Sequence, residues 1–256
     1  MNSLPRTWCT VTRTVALPPD EVHVWRFPVR LPPPSSAACR SLLSREERTA
    51  ADRFVFAGDT ARFTTSRAFL RLILAGYLQI DPGDISLGKG DHGKPRLETG
   101  PGGEPWQFNV SHSGSYGLIA VALGREVGVD IEWTGRSTEY LDLARRVFTP
   151  GEIRQLERLP AADLAQAFFT CWTRKEAVVK AVGSGFSCPL KSFGVSLLPG
   201  QPAALVRAEN LRWADGGNLA DLTLMHIDPC PDYVGALAVR GSGCVLRQWA
   251  AEGLLP

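Results

Sequence analysis

Two long stretches of helical periodicity, each followed by a cluster of short strand-like runs, constrain this chain more than any other feature. The first covers residues 60–78, where Phe63, Phe69, Leu70, Ile73, Leu74 and Leu78 mark an apolar stripe. A shorter helix is predicted before it over residues 44–56, with Ser44 as a start signal and Glu46 and Glu47 in the first turn. Extended runs follow at 106–110, 116–123 and 127–133, and their short connections predict an antiparallel meander. The rhythm then repeats, with helices expected at 137–148, 150–159 and 161–182. Pro150 suits a first helical position and Gly183 a helix end. Strand runs follow at 193–197, 205–208, 222–227, 233–239 and 245–249. Earlier in the chain, residues 7–15 and 21–30 read as extended, and Pro32-Pro33-Pro34 as part of a loop. Strands cluster and do not alternate one-for-one with helices, so the fold class is α+β. The join near residues 124–127 divides the chain into two similar halves, 1–126 and 127–256, related by a pseudo-twofold repetition of pattern.

Charge and composition narrow the function classes. The chain has 256 residues, with 28 Lys and Arg against 26 Asp and Glu, a net charge of +2. That balance excludes a broad nucleic-acid-binding surface, which needs a basic excess. At 44% hydrophobic and 21% charged residues the chain is not globally disordered. The six cysteines form no C-x-x-C pair, which argues against a zinc ribbon and for free thiols. The longest apolar run, 118–123, is far short of a membrane span. No apolar segment of a signal peptide accompanies Arg6 and Arg13, so a cytoplasmic protein is expected.

Four motifs carry chemistry. In Val127-Gly128-Val129-Asp130-Ile131-Glu132, strand alternation puts Asp130 and Glu132 on one face, about 7 Å apart. Two such carboxylates repel unless they are solvated or neutralised, and a hard divalent cation such as Mg²⁺ is the natural neutraliser. In Trp172 to Lys180, Trp172, Glu176 and Lys180 share one helix face at i, i+4 and i+8. Glu176 and Lys180 read either as an ordinary helix ion pair or as a third oxygen ligand and a phosphate contact. Asn109-Val110-Ser111-His112-Ser113-Gly114 reads as a strand running into a polar turn whose donors suit a phosphate. Gly93-Lys94-Pro95 holds a lysine in a tight turn, and Arg53 and Arg62 lie on the predicted N-terminal helices.

In this order, these motifs resemble the 4′-phosphopantetheinyl transferase superfamily, above all its longer pseudodimeric class, which activates carrier proteins of peptide and polyketide synthetases. The likeness rests on Gly93-Lys94-Pro95, residues 108–114, residues 127–132 and residues 169–180, and spans roughly 44–193. The resemblance implies two similar α+β halves, each with a three-stranded antiparallel sheet packed on helices, sharing a site in the cleft between them. It implies a monomer that moves the phosphopantetheine arm of coenzyme A to a serine of an apo acyl, peptidyl or aryl carrier protein, releasing 3′,5′-ADP, without nucleic acid or membrane. Carried over, Asp130, Glu132 and Glu176 correspond to Mg²⁺ ligands and Lys180 to the lysine near the pyrophosphate. Ser111 and His112 match residues holding coenzyme A phosphates, Gly93, Lys94 and Pro95 part of the 3′,5′-ADP pocket, and Lys175 a further cofactor contact. Glu152 sits where the family has a candidate general base. The chain departs from the family's pattern at Glu47 and Ala50, where basic residues often touch the 3′-phosphate; Arg48, Arg53 and Arg62 are offered instead. Arg136, Arg145 and Arg146 with Phe148 are candidates for docking an acidic carrier. Two other readings use the same residues: a Mg²⁺-dependent nucleotide phosphodiesterase or pyrophosphatase, and a coenzyme A-binding module without turnover.

Overall fold

A computed structural model of the chain describes residues 8–89, 95–98, 106–183, 188–208 and 211–255. In chain order the first elements are β1 (Cys9–Thr10), β2 (Glu21–Pro28), α1 (Pro33–Leu42), α2 (Arg45–Ala51), α3 (Ala57–Leu78), β3 (Leu87–Lys89), β4 (Pro95–Leu97), β5 (Trp106–Ser113) and β6 (Tyr116–Leu123). Then come β7 (Val127–Trp133), α4 (Tyr140–Val147), α5 (Pro150–Leu156), α6 (Ala161–Val182), β8 (Gly194–Val195), β9 (Leu205–Arg207), β10 (Leu222–Ile227), β11 (Tyr233–Arg240) and β12 (Val245–Ala250). They form two units. One comprises Met1–Gly88, Pro95–Gly124 and Cys244–Pro256, the other Lys89–Lys94 and Arg125–Gly243.

The first unit is built on a five-stranded sheet in the order β1-β12-β2-β6-β5. β2 and β6, and β6 and β5, run antiparallel, whereas β12 lies parallel to both β1 and β2. Along β2, Trp25 and Phe27 point to the face that meets α3, where they pack with Phe69, Ile73 and Leu74. α2 starts on a capping box: the Glu47 amide donates to Ser44 Oγ, and the Ser44 amide donates to the Glu47 carboxylate. The same carboxylate accepts from Arg71 Nε at 2.7 Å, tying α2 to α3. Glu47 therefore serves as a structural clasp between the two helices.

A buried polar chain runs through this core. His23, fully buried, lies between Glu21 Oε2 at 2.9 Å and the Tyr77 hydroxyl at 2.7 Å, and Trp25 Nε1 donates to that hydroxyl at 2.8 Å. A carboxylate only accepts, so Nε2 of His23 carries the proton and Nδ1 accepts from Tyr77. Burial holds the His23 pKa below its ordinary value, against the opposing pull of Glu21.

The second unit has a three-stranded antiparallel sheet, β10-β11-β7, with α6 packed on one face. A Cβ at Gly128 would overlap the Ala177 carbonyl oxygen and the Ala181 nitrogen, so only glycine lets α6 lie this close to β7. α5 begins on a second capping box, Thr149 with Glu152, and Pro150 takes its first turn as expected.

The α+β class holds, with five differences in detail. Residues 33–42, expected in part as a loop, are helix: Pro33 and Pro34 occupy the first turn, where a missing N–H costs nothing. Ser111 to Ser113 belong to β5 and not to a polar turn; the hairpin turns on Gly114, at φ 55°, and Ser115. β6 and β7 are not partners in one meander, because β7 pairs with β11, a hundred residues on. The first sheet has five strands of mixed direction, where three antiparallel ones were expected. Along the chain the first unit passes to the second at Gly124/Arg125, and residues 244–256 return to the first unit, because β12 fills the place between β1 and β2. No helix among the described residues is long and apolar enough to cross a membrane.

Two outcomes follow. Gly128→Val should lower stability by about 3 kcal/mol, since the obstructing atoms are backbone; urea midpoints at unchanged m-value measure it. His23 binds a proton less readily folded than unfolded, so stability should fall as pH drops below about 6.5, the ordinary histidine value. A His23→Gln variant should lose that part of the pH dependence in thermal melts, and an unchanged profile would place the titrating group elsewhere.

Candidate active site

Strand alternation and helix phase converge on one face of the second unit. Gly128, Asp130 and Glu132 point to the α6 side of β7, while Val129 and Ile131 are buried on the other. Within residues 167–182 of α6, every side chain is buried except Trp172, Glu176 and Lys180, which form a partly exposed stripe one turn apart. The ring of Trp172 stacks on Phe168 at 6.1 Å and sits 6.4 Å from Phe148, which accounts for a bulky aromatic there.

Lys180 Nζ reaches Asp130 Oδ1 at 2.6 Å and donates to the Val129 carbonyl at 3.2 Å. Asp130 is almost fully buried, so this ion pair is shielded on the carboxylate side. Glu132 Oε2 pairs with Arg136 Nη2 at 2.8 Å. Glu176 completes the group electrostatically: burial pushes its pKa up, and the negative charges of Asp130 and Glu132 push further, with Lys180 opposing. Ion pairing and charge proximity set these three carboxylates against Lys180 and Arg136 among the described residues. Among the described residues no three acid, His or Cys side chains are already closed around one metal position. The donor chemistry nevertheless fits a hard divalent cation, since all three side chains offer carboxylate oxygens.

Glu152 and Lys175 are placed differently from expectation. Both are buried, at 3% and 0% side-chain exposure, and they pair with each other at 3.0 Å. Glu152 Oε2 accepts from the Thr149 amide and hydroxyl, and Oε1 also accepts from the Val195 amide at 2.8 Å. Lys175 Nζ spends its other donors on the Leu190 and Phe193 carbonyls. Both oxygens of Glu152 are thus engaged inside the core, and the Lys175 ammonium is satisfied by Glu152 and two carbonyls.

Sequence reasoning passed over Arg174, also buried. Its Nη1 donates to the Ser196 carbonyl and hydroxyl at 2.7 and 2.8 Å, and Nη2 to the Gln201 carbonyl at 3.4 Å. No carboxylate pairs with it in that set, and burial lowers its pKa to about 10. The signal was present: Arg174 and Lys175 fall off the Trp172 face, so a helix buried on its other sides must give them internal acceptors.

Ser111, His112, Pro95, Arg53 and Arg62 lie on the first unit. Ser111 is buried in β5, His112 beside it is exposed, and Pro95 is half-buried in β4. Arg53 is exposed after α2, and Arg62 on α3 pairs with Asp59 at 3.1 Å. Gly93 and Lys94 lie outside the described residues. Phe148, expected on a docking surface, is fully buried, and Arg145 is paired with Asp142 and Glu157.

Residues 126–237 match the family model described as the 4′-phosphopantetheinyl transferase superfamily. Residues 33–123 match one described as 4′-phosphopantetheinyl transferase, N-terminal. Over 246 residues the chain is 35% identical to the 4′-phosphopantetheinyl transferase HetI of Nostoc sp., covering 96% of this chain and 99% of that protein. It is 31% identical over 157 residues to the 4′-phosphopantetheinyl transferase Sfp of Bacillus subtilis, covering 61% of this chain and 67% of that one. Among solved structures, the Chronobacterium ammoniagenes ACPS–CoA complex aligns at a TM-score of 0.35 and 21% identity, over 46% of this chain and 98% of that chain.

Lys175→Met should destabilise the second unit by about 3–5 kcal/mol, because it strands the buried Glu152 charge. Chemical denaturation measures this, and a loss below 1 kcal/mol would show that Glu152 finds solvent or a proton without Lys175.

Proposed function

The chain belongs to the 4′-phosphopantetheinyl transferase superfamily and is an enzyme of that type, and on that premise we propose that it moves the phosphopantetheine arm of coenzyme A to a serine of an apo carrier protein, with Mg²⁺ as cofactor and 3′,5′-ADP as the other product. The observation that carries this reading is the juxtaposition of the Trp172, Glu176 and Lys180 stripe with Asp130 and Glu132.

The reaction joins a serine oxygen to the β-phosphorus of coenzyme A and breaks the bond to 3′,5′-ADP. Both partners bring negative charge, so the site must supply positive charge and orientation. Asp130, Glu132 and Glu176 would hold Mg²⁺, which supplies neutralisation of phosphate charge when bound. Lys180 is held by two acceptors beside those carboxylates, so its ammonium is preorganised to stabilise charge that develops on the phosphate oxygens. The serine proton needs an acceptor, and Glu152 would serve if its bonds to the Thr149 and Val195 amides and to Lys175 loosen as substrate binds. Arg53, Arg62, Gly93, Lys94, Pro95, Ser111 and His112 are the proposed contacts to the cofactor's phosphates and adenosine; Lys175 is left out. Acyl, peptidyl or aryl carrier domains are the proposed partners, in peptide or polyketide biosynthesis, with the enzyme acting in the cytoplasm as a monomer.

Incubation with coenzyme A, Mg²⁺ and a panel of apo carriers tests the reading by mass spectrometry. A phosphopantetheinyl mass gain that disappears when the carrier serine is replaced by alanine supports transfer. Consumption of coenzyme A without any carrier would instead mark a hydrolase, and binding without consumption a module without turnover. Asp130→Ala should abolish transfer with the fold intact by circular dichroism. Lys180→Ala should lower kcat by roughly 100-fold or more, the scale of losing one preorganised charge-stabilising group.

A further inference from the structure

Arg136, expected from the sequence only as a docking candidate, is fixed in place by several features. β7 ends at Trp133, and the turn through Thr134 and Gly135 folds the chain back over the strand. Thr134 donates to the Asp232 carbonyl from its amide at 2.8 Å and its hydroxyl at 3.0 Å. A Cβ at Gly135 would overlap the Trp133 indole, so a side chain there would have to displace that ring. The Tyr140 hydroxyl donates to the Arg136 carbonyl at 2.7 Å, holding the backbone from α4. The guanidinium lies over the Phe169 ring of α6 at 5.0 Å and donates to Glu132 Oε2 at 2.8 Å.

These contacts aim a permanent positive charge at one carboxylate of the proposed metal set. The arginine side chain is 49% exposed and that of Glu132 15%, so their bond is partly screened and exchangeable. Lys180 differs: its ammonium has a second acceptor in the Val129 carbonyl and less access to water. A divalent cation on Glu132 would compete for the same oxygens and repel the guanidinium.

We propose that Arg136 is a place-holder cation, which neutralises Glu132 in the metal-free enzyme and is displaced from it when a divalent cation binds. This rests on the metal assignment above and adds a residue that sets how readily the site loads. Two consequences are built in. Glu132 is kept from repelling Asp130 and Glu176 before metal arrives, and metal binding liberates an arginine at the edge of the site.

Mn²⁺ binding to the protein without coenzyme A or carrier, read by electron paramagnetic resonance of the free ion, tests this. Arg136→Gln should tighten Mn²⁺ binding by about two- to five-fold, the scale of an exposed ion pair, while Arg136→Lys should stay near the native value. Unchanged or weaker binding in Arg136→Gln overturns the proposal. Glu132→Gln separates the two layers, since native-like Mn²⁺ binding there would defeat the metal assignment itself. The native protein provides a second measurement. Phenylglyoxal should modify Arg136 faster with Mg²⁺ than without it, as read by peptide mass spectrometry, and an equal or slower rate overturns the proposal.

Discussion

The approach of α6 to β7 across Gly128 is the constraint on which the rest of the second unit depends. With no side chain there, the backbones of helix and strand come close enough for Lys180 to reach both the Val129 carbonyl and the Asp130 carboxylate. The same approach fixes the phase of the helix. Once Ala177 and Ala181 are pressed against the strand, Trp172, Glu176 and Lys180 must fall along the partly exposed line. One missing methyl group therefore decides which helix residues can do chemistry.

α6 carries charges of two kinds, and burial separates them. Arg174 and Lys175 are locked inside, where they grip the segment from Leu190 to Gln201 through carbonyls and, for Lys175, through Glu152. Buried cations cost solvation free energy, which the three acceptors of Lys175 and the Ser196 and Gln201 acceptors of Arg174 offset in part, Arg174 Nε being left without one among the described residues. Glu176 and Lys180 keep access to water and remain exchangeable. Adjacent positions along one helix thus hold a rigid frame and a responsive site. Spacing along the chain did not reveal that Glu152 ends inside the packing, paired with Lys175.

Much of the architecture was legible in the sequence. Periodicity located α3 and α6, and alternation placed Asp130 and Glu132 together with the apolar Val129 and Ile131 opposite. The i, i+4, i+8 spacing identified the Trp172 stripe before any coordinates. What escaped was non-local. Nothing in residues 106–133 announces that β6 and β7 take different partners, since both are short apolar strands separated by a turn, and their registers are set by β2 and by β11. The three prolines at 32–34 misled for a local reason: proline is a breaker inside a helix and a starter at its first turn, and only the residues that follow decide which applies.

The place of β12 has a consequence for how the chain is made. A ribosome releases residues 125–243 before β12 emerges, so the second unit can close while the first still lacks an internal strand of its sheet. Until then β2 presents a bare hydrogen-bonding edge on the β1 side, the kind of surface that recruits other unfolded chains. The sheet begun first is thus completed by a strand that follows the whole of the second unit, and a chain lacking β12 would carry an open seam there.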